Sequence, residues 1–96
     1  MFARMSTWSG SPEALQKWAD NAADEVMGFV QSLPGNAGAL FLVDRDCGTA
    51  LTLTLWDSAD AAHATDQFAE QSRAATVAAT GTELVARGSY EVVASS

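Results

Sequence analysis

The chain has 96 residues, with twelve acidic and five basic side chains, a net charge of -7, and one cysteine. A chain of this length supports one hydrophobic core, so residues 1–96 are expected to form one domain. The excess of acidic residues argues against nucleic acid and anionic membranes as partners. No apolar run reaches the roughly 18–20 residues of a membrane span. A lone cysteine and the lack of a signal-peptide pattern predict a cytoplasmic location.

The beginning of the chain predicts a short strand followed by an amphipathic helix. Residues 2–8 alternate between two faces, and one face carries Phe2, Arg4, Ser6 and Trp8. Ser11 is a suitable N-cap and Pro12 a suitable first helical residue, so a helix is predicted from about Pro12 to Leu33. The apolar side chains on its expected buried face are Leu15, Trp18, Ala22, Val26, Phe29 and Leu33.

The most apolar stretch of the chain predicts a β-hairpin, which we expect at the centre of a sheet. Its first strand, Ala39–Val43, contains only apolar residues, and its second, Leu51–Trp56, alternates. The polar residues between them are typical of a turn, with Gly48 free to adopt positive φ.

The remaining residues predict a second helix and a last strand. The helix is expected from about Ala59 to Ala79, capped by Ser58 or Asp57. Its expected core face consists mostly of small residues, namely Ala61, Ala64, Thr65, Phe68, Ser72, Ala75 and Ala79. The strand is expected over Glu83–Ala94, where Gly88 indicates a bulge or a close backbone approach.

The order βαββαβ predicts an α+β chain with the ferredoxin-like fold, in which two helices cover one face of a four-stranded antiparallel sheet. A strand as uniformly apolar as Ala39–Val43 favours burial on both faces, although the helices cover only one. The uncovered face would be a larger apolar patch than most monomers expose. The pattern therefore predicts a homodimer in which the two sheets face each other.

Several features of the chain occur together in one known group of proteins. They are Trp8 near the end of the first strand, Leu-Pro-Gly before the second, the ending Leu-Trp-Asp-Ser of the third, the Ala-rich helix after it, and Tyr90-Glu91-Val92. In these the chain resembles the dimeric α+β barrel superfamily, in particular the antibiotic biosynthesis monooxygenase (ABM) domains and their uncharacterised actinobacterial relatives. The resemblance implies an ABM-like homodimer, but the superfamily includes oxygenases, haem-degrading enzymes and proteins of no known activity, so the fold does not define the function.

The resemblance to the cofactor-independent monooxygenases extends to part of their functional residues. Trp56 corresponds to their Trp at the end of the third strand, and Arg73 lies a few residues from their helical Arg. Thr52 stands in place of their Asn, and Ala62 in place of their Tyr. Two polar groups of that pattern are therefore missing.

The haem-degrading members fit less well. Their Asn, Trp and axial His fall in regions that read Ser6, Thr65 and Ala75 here. The resemblance therefore implies no haem, and no cofactor is expected.

Four residues are the candidate ligand-binding set: Trp56, Trp8, Arg4 and Phe68. Aromatic side chains at strand ends can line a flat pocket or fill the core, and both alternatives stay open for Trp8 and Trp56. Trp18, on the apolar stripe of the first helix, is expected in the core. Arg4 could hold the anionic group of a ligand, pair with an acid such as Glu91 across the sheet, or extend its guanidinium to solvent at a sheet edge.

The single histidine and the single cysteine have no neighbouring residues in the sequence that would make them a metal site or a nucleophile. His63 is the lone histidine and is expected on the solvated side of its helix, so no metal site is predicted. Cys47 is expected in the exposed hairpin turn, where neither a base nor a helix N-terminus activates a thiol. No catalytic residue is assigned.

Two hypotheses for function follow. One is the binding, or the cofactor-independent oxidation, of an aromatic small molecule, and the other is a non-enzymatic binding or assembly module. An open pocket of about 300 Å³ or more beside Arg4 favours the first, whereas a cavity completely filled by aromatic side chains favours the second.

Overall fold

Strand β1 (Phe2–Ser9) is an interior strand of the sheet in the computed structural model, which describes residues 1–96. It pairs antiparallel with β3 (Thr49–Trp56) on one side and with β4 (Glu83–Glu91) on the other. Strand β2 (Asn36–Asp44) pairs only with β3, which gives the four-stranded order β2-β3-β1-β4. This is the predicted ferredoxin-like arrangement.

The β2–β3 hairpin forms as predicted but does not lie at the centre of the sheet. In its turn Gly48 adopts φ 70°, and an Asp44 Oδ1 atom accepts the Cys47 backbone N–H at 3.2 Å. Strand β3 is interior, but β2 is an edge strand because β1 occupies the other side of β3. The central placement of the whole hairpin is therefore wrong.

The first helical segment begins as predicted and contains a π-helical turn. It consists of α1 (Pro12–Asn21), the π-helical turn Ala22–Val26 and α2 (Met27–Gln31), and the Ser11 hydroxyl accepts the Ala14 N–H at the start. A π turn contains one additional residue, which shifts the buried face along the chain. Val30 is consequently buried, whereas Phe29, expected on that face, is 44% exposed.

The second helical segment is divided where one helix was expected. Helix α3 (Ala59–His63) is capped by the Ser58 hydroxyl, and α4 (Asp66–Thr80) follows after a break at Ala64 and Thr65. The expected core face is wrong in large part: Ala64, Ala75 and Ala79 are exposed, and Phe68 is 47% exposed. The buried side chains of the segment are Ala62, Thr65, Thr76 and Thr80.

The buried face of α4 carries threonines where alanines were predicted. The hydroxyls of these threonines have acceptors inside the helix. Thr76 donates to the Ser72 carbonyl at 2.8 Å, and Thr80 donates to the Thr76 carbonyl at 2.7 Å. A hydroxyl that is satisfied in this way carries little burial cost, and its methyl group can pack inward.

Strand β4 has a bulge, but at a different position from the one considered at Gly88. Thr7 pairs with Ala86 and Trp8 with Leu84, so Val85 is the additional residue. Gly88 is instead covered by the ring of Tyr90, since a Cβ atom there would lie 2.7 Å from the Tyr90 hydroxyl oxygen. The strand also ends at Glu91, before the predicted Ala94.

The main core lies between α1 and the sheet. Its buried members are Trp8, Leu15, Trp18 and Ala50, with Phe41, Val43 and Leu84 packed against them. Trp18 is 2% exposed, in agreement with its expected core position.

The sheet face opposite the helices, called the open face below, is apolar. By strand alternation it carries Met5, Leu40, Leu42, Leu51, Leu53, Leu55 and Tyr90. Leu40, Leu42 and Tyr90 are 53%, 47% and 56% exposed. Separately, none of the helices has the length and hydropathy required to cross a membrane.

Candidate functional site

A cavity of about 60 Å³ lies between the helices and the sheet, and is called the aromatic cavity below. All four candidate residues line it: Arg4, Trp8, Trp56 and Phe68. Strands β1 and β3 supply its floor, because Ser6, Thr52 and Thr54 face the helices beside the tryptophans. The first helical segment and α4 supply its walls, which include Trp18, Val26, Phe29, Val30, Ser72, Arg73 and Thr76.

Trp8 and Trp56 are both core residues and pocket residues, the two alternatives that the sequence left open. Trp8 and Trp56 are 3% and 1% exposed, as core residues are, and each also contributes its ring to the cavity wall. Their indole N–H groups donate within the chain, Trp8 to the Thr52 hydroxyl and Trp56 to the Thr54 hydroxyl, both at 3.0 Å. The rings therefore offer the cavity apolar surface and no free donor.

The rim of the aromatic cavity is formed by two phenylalanines on opposite helices. The rings of Phe29 and Phe68 meet edge to face, with 6.1 Å between their centroids. Both rings line the cavity and are about half exposed, so the cavity reaches the protein surface at these two side chains.

Arg4 lies at the polar end of the aromatic cavity, where it is almost fully enclosed. Its side chain is 11% exposed, and the guanidinium carbon lies 5.6 Å above the centre of the Trp56 ring. One terminal nitrogen donates to the Thr65 hydroxyl at 3.1 Å, and the other donates to the Ala62 carbonyl and to Asp66. Arg4 thus pairs with an acid, which was one of the alternatives left open by the sequence, but the acid is Asp66 on α4 and not Glu91.

Asp66 connects Arg4 to the lone histidine. One of its carboxylate oxygens accepts from Arg4, and the other lies 3.3 Å from His63 Nδ1. Desolvation acts to raise the pKa of Asp66, but the hydrogen bonds from His63 and Arg4 outweigh it and lower that pKa. His63 itself is 61% exposed and also touches the Phe2 ring, in agreement with the expected surface position.

Beyond Arg4 the aromatic cavity adjoins a polar groove, called the arginine groove below. It has a volume of about 370 Å³ and is lined by Arg4, Asp66, Glu70, Arg73, Arg87, Gly88 and Ser89. Arg4 and Arg73 line both spaces, so the groove and the cavity share one wall. Desolvation, together with the charges of Arg87 and Arg4, lowers the pKa of Arg73.

The convergence of arginines is the feature that the sequence did not reveal. Arg4, Arg73 and Arg87 belong to β1, α4 and β4, and the chain positions alone gave no sign that they meet. The register of β4 against β1 shows that two of them meet: Arg87 pairs with Ser6, which places Arg87 on the same sheet face as Arg4. That register is set by the bulge at Val85, for which the sequence carries no turn residue.

The titratable groups outside these two spaces offer little chemistry. Cys47 is exposed in the hairpin turn, where a hydrogen bond to the Asp44 carboxylate and the charge of that group raise the pKa of the thiol. No three His, Cys, Asp or Glu side chains lie close enough together to hold a metal ion. Within the aromatic cavity the only titratable side chains are the guanidinium groups of Arg4 and Arg73, neither of which can act as a base near neutral pH.

The sequence of the chain is similar to few known proteins. No protein-family model matches the chain. Two uncharacterised proteins of Mycobacterium tuberculosis, MT2634 and Rv2557, are each 31% identical to it over 64 residues, which is 67% of this chain and 29% of theirs. The chain therefore spans less than a third of the length of the curated relatives that it matches.

Comparison with solved structures shows the fold. A Deinococcus radiodurans protein assigned to the antibiotic biosynthesis monooxygenases superposes with a TM-score of 0.79 at 16% identity, covering 99% of this chain and 95% of that one. A monooxygenase of Streptomyces coelicolor from the gene ActVA-Orf6, solved with nanaomycin D, gives 0.69 at 17% identity, with 99% and 91% covered. SnoaB of Streptomyces nogalater, a cofactor-independent oxygenase, gives 0.66 at 17% identity, with 98% and 94% covered.

These structures define the class of fold to which the chain belongs. It has the ABM-like α+β fold, as its resemblance to ABM domains predicted. At such identities the likeness concerns the fold, and the function has to be argued from the site.

Proposed function

We propose that this protein binds a flat aromatic small molecule in the aromatic cavity and that it acts as a homodimer joined through the open face. The observation that carries the proposal is the pair of tryptophan rings, which present apolar surface to an unfilled space with a guanidinium group at one end. Apolar walls with few polar groups at fixed positions are typical of small-molecule sites.

The size of the cavity defines what binding requires. Its 60 Å³ holds roughly four to six water molecules, so it is not filled by side chains. It is also well below the ~300 Å³ of a typical ligand pocket. A ligand with two fused rings therefore binds only if Phe29 and Phe68 rotate outward at the rim.

Cofactor-independent oxidation is the enzymatic form of this proposal. Two of the solved neighbours support it, since one is described as a cofactor-independent oxygenase and another as a monooxygenase that holds nanaomycin D. The aromatic cavity of this chain contains no base that could remove a proton from a substrate. A substrate for oxidation must therefore be acidic enough to ionise in water, with Arg4 stabilising its anion.

Calorimetric titration with 2-naphthol tests the binding proposal. We expect the wild type to bind, and Ser72→Leu, which fills the cavity, to weaken binding by about tenfold or more. Ala78→Leu adds the same side chain at an exposed position of α4 and is expected to bind as the wild type does. Absence of binding by the wild type, or equal affinity of both leucine variants, would contradict the proposal.

Oxygen uptake distinguishes an oxygenase from a binding protein. Acidic polycyclic phenols are supplied to the wild type, Trp56→Phe and Arg4→Ala in parallel. Uptake by the wild type that falls in both variants supports the enzymatic form. Binding of the same phenols without uptake would show that the site holds a ligand and does not oxidise it.

A non-enzymatic assembly module is the second candidate, and the open face favours it. Leucines from β2 and β3 form a continuous apolar surface on an otherwise acidic chain. Such surfaces on soluble proteins mark sites of association.

A further inference from the structure

The arginine groove concentrates positive charge on an acidic protein. The chain has five basic residues and a net charge of -7, yet three of the five line this one groove. Two acids, Asp66 and Glu70, line it as well, so its local charge is 3 - 2 = +1. The groove therefore has a local charge that a single negative charge would neutralise.

The acids of the groove leave guanidinium donors without acceptors. Asp66 is shared between Arg4 and His63, and the Glu70 carboxylate lies 3.7 Å from Arg87, beyond hydrogen-bond distance. The buried Nε of Arg73 has no hydrogen-bond partner at all. A buried donor without a partner is costly, so a ligand oxygen that accepted from Arg73 would relieve that cost.

We propose that the arginine groove binds a carboxylate, carried by the same aromatic molecule whose rings occupy the aromatic cavity. This proposal rests on the proposed function for the aromatic part of the ligand. Arg4 and Arg73 line both spaces, so a molecule that places its rings against Trp56 can extend its acid group into the groove. The ligand class is thus an aromatic monocarboxylic acid.

The local charge favours a carboxylate over a phosphate. A carboxylate neutralises the surplus of +1, whereas a phosphate dianion would leave the groove negative on a chain that already carries -7. The planar guanidinium fork also matches the two oxygens of a carboxylate.

Calorimetric titration with four probes tests the proposal: 2-naphthoate, the neutral isostere 2-naphthamide, acetate and inorganic phosphate. We expect 2-naphthoate to bind about tenfold tighter than 2-naphthamide, since charge-assisted hydrogen bonds are made only by the acid. Arg87→Gln should remove most of this preference. Arg45→Gln, which removes the same charge from the exposed hairpin turn, should retain it.

A gain of affinity provides a readout that a merely structural role of the arginines would not produce. Glu70→Gln removes the carboxylate that competes for Arg87, so 2-naphthoate should bind this variant about threefold tighter or better. The side-chain ¹⁵N resonance of Arg73 Nε should also shift with 2-naphthoate and not with 2-naphthamide.

The outcomes separate this proposal from the proposed function. Equal affinities for 2-naphthoate and 2-naphthamide, or tighter binding of phosphate than of either, would overturn the carboxylate site while the aromatic cavity remained supported. Binding of acetate that depends on Arg87, without binding of either naphthalene, would support the carboxylate site and contradict the aromatic one. Absence of binding by all four probes would overturn both.

Discussion

Two residues that depart from the ABM pattern make contacts within the protein at the aromatic cavity. Thr52 stands where the monooxygenases have an Asn, and it accepts the indole N–H of Trp8. Ala62 stands where they have a Tyr, and its backbone carbonyl accepts from Arg4. The polar groups missing from the family pattern are thus replaced by contacts that hold the cavity walls rather than by contacts aimed at a ligand.

The ion pair of Asp66 makes stability depend on pH in a defined direction. The pKa of Asp66 is lowered in the folded protein from an ordinary value of 3.8, so the folded state binds its proton less readily than the unfolded chain. The stabilisation is therefore complete above about pH 4 and is lost as the pH falls through the lowered pKa. Because the carboxylate is 60% exposed, its size is expected to be only ~0.2–1 kcal/mol.

Urea unfolding of the wild type and Asp66→Asn between pH 6 and pH 2 measures this contribution. The difference in free energy of unfolding between the two proteins should shrink as the solution becomes acidic. Asp24→Asn alters an exposed acid that makes no ion pair, and its difference from the wild type should vary less with pH. A difference for Asp66→Asn that stays constant over this range would rule out the pairing.

At the level of whole elements, alternation and turn residues were sufficient to predict the strands. Gly48 marked the hairpin turn, and Ser11 and Ser58 marked the two helix starts, because each of these residues acts through its immediate neighbours. The helix interiors were predicted less well. The break at Thr65 coincides with a contact between distant segments, the hydrogen bond of Arg4 to the Thr65 hydroxyl, which periodicity within one helix does not encode.

Gly28 lies inside α2, where a glycine destabilises the helix and the structure shows no close neighbour that requires one. Nothing lies within 4 Å of a Cβ atom built there, and the residue is exposed within a helix. Gly28→Ala should therefore stabilise the protein by ~0.5–1 kcal/mol, through lower backbone entropy of the unfolded chain. Thermal unfolding should show this as a rise in Tm of several degrees, about 2–8 °C.

Gly35, in the turn before β2, should respond in the opposite direction. It adopts φ 81°, and a Cβ atom there would lie 2.6 Å from the Cβ of Ala61. Gly81→Ala is the matched control, with φ 75° and no neighbour within 4 Å, so it should lose only the ~1–2 kcal/mol of left-handed backbone strain. Gly35→Ala should lose more than this control, and equal losses would show that the contact with Ala61 is relieved at no cost.

At the scale of the molecule, the same chain leaves one sheet face covered by helices and the other uncovered. Only 16 of the 96 residues are buried, so the core of the isolated chain is small for its length. The apolar pattern of β2 predicted an apolar open face, because its residues alternate between the two sides of the sheet and the helices cover only one of them. The aromatic cavity was predictable only in part, since Trp8, Trp56, Arg4 and Phe68 share it, but its volume depends on how the helices diverge.

The proposed homodimer can be tested at the open face. Leu53 lies in the middle of that face, paired with Leu40 on one side and Met5 on the other. A stable interface requires about 1,200–2,000 Å² of total buried surface, and a charged side chain at its centre would be desolvated without a partner. Leu53→Asp should therefore separate the subunits, so that light scattering gives the 10.0 kDa of one chain, whereas the wild type gives twice that mass.

Val77→Asp is the matched control. It introduces the same charge on α4, where Val77 is 39% exposed, and should have the same mass as the wild type. Circular dichroism of Leu53→Asp verifies that the separated chain is folded, and a wild type of 10.0 kDa at tens of micromolar would contradict the homodimer.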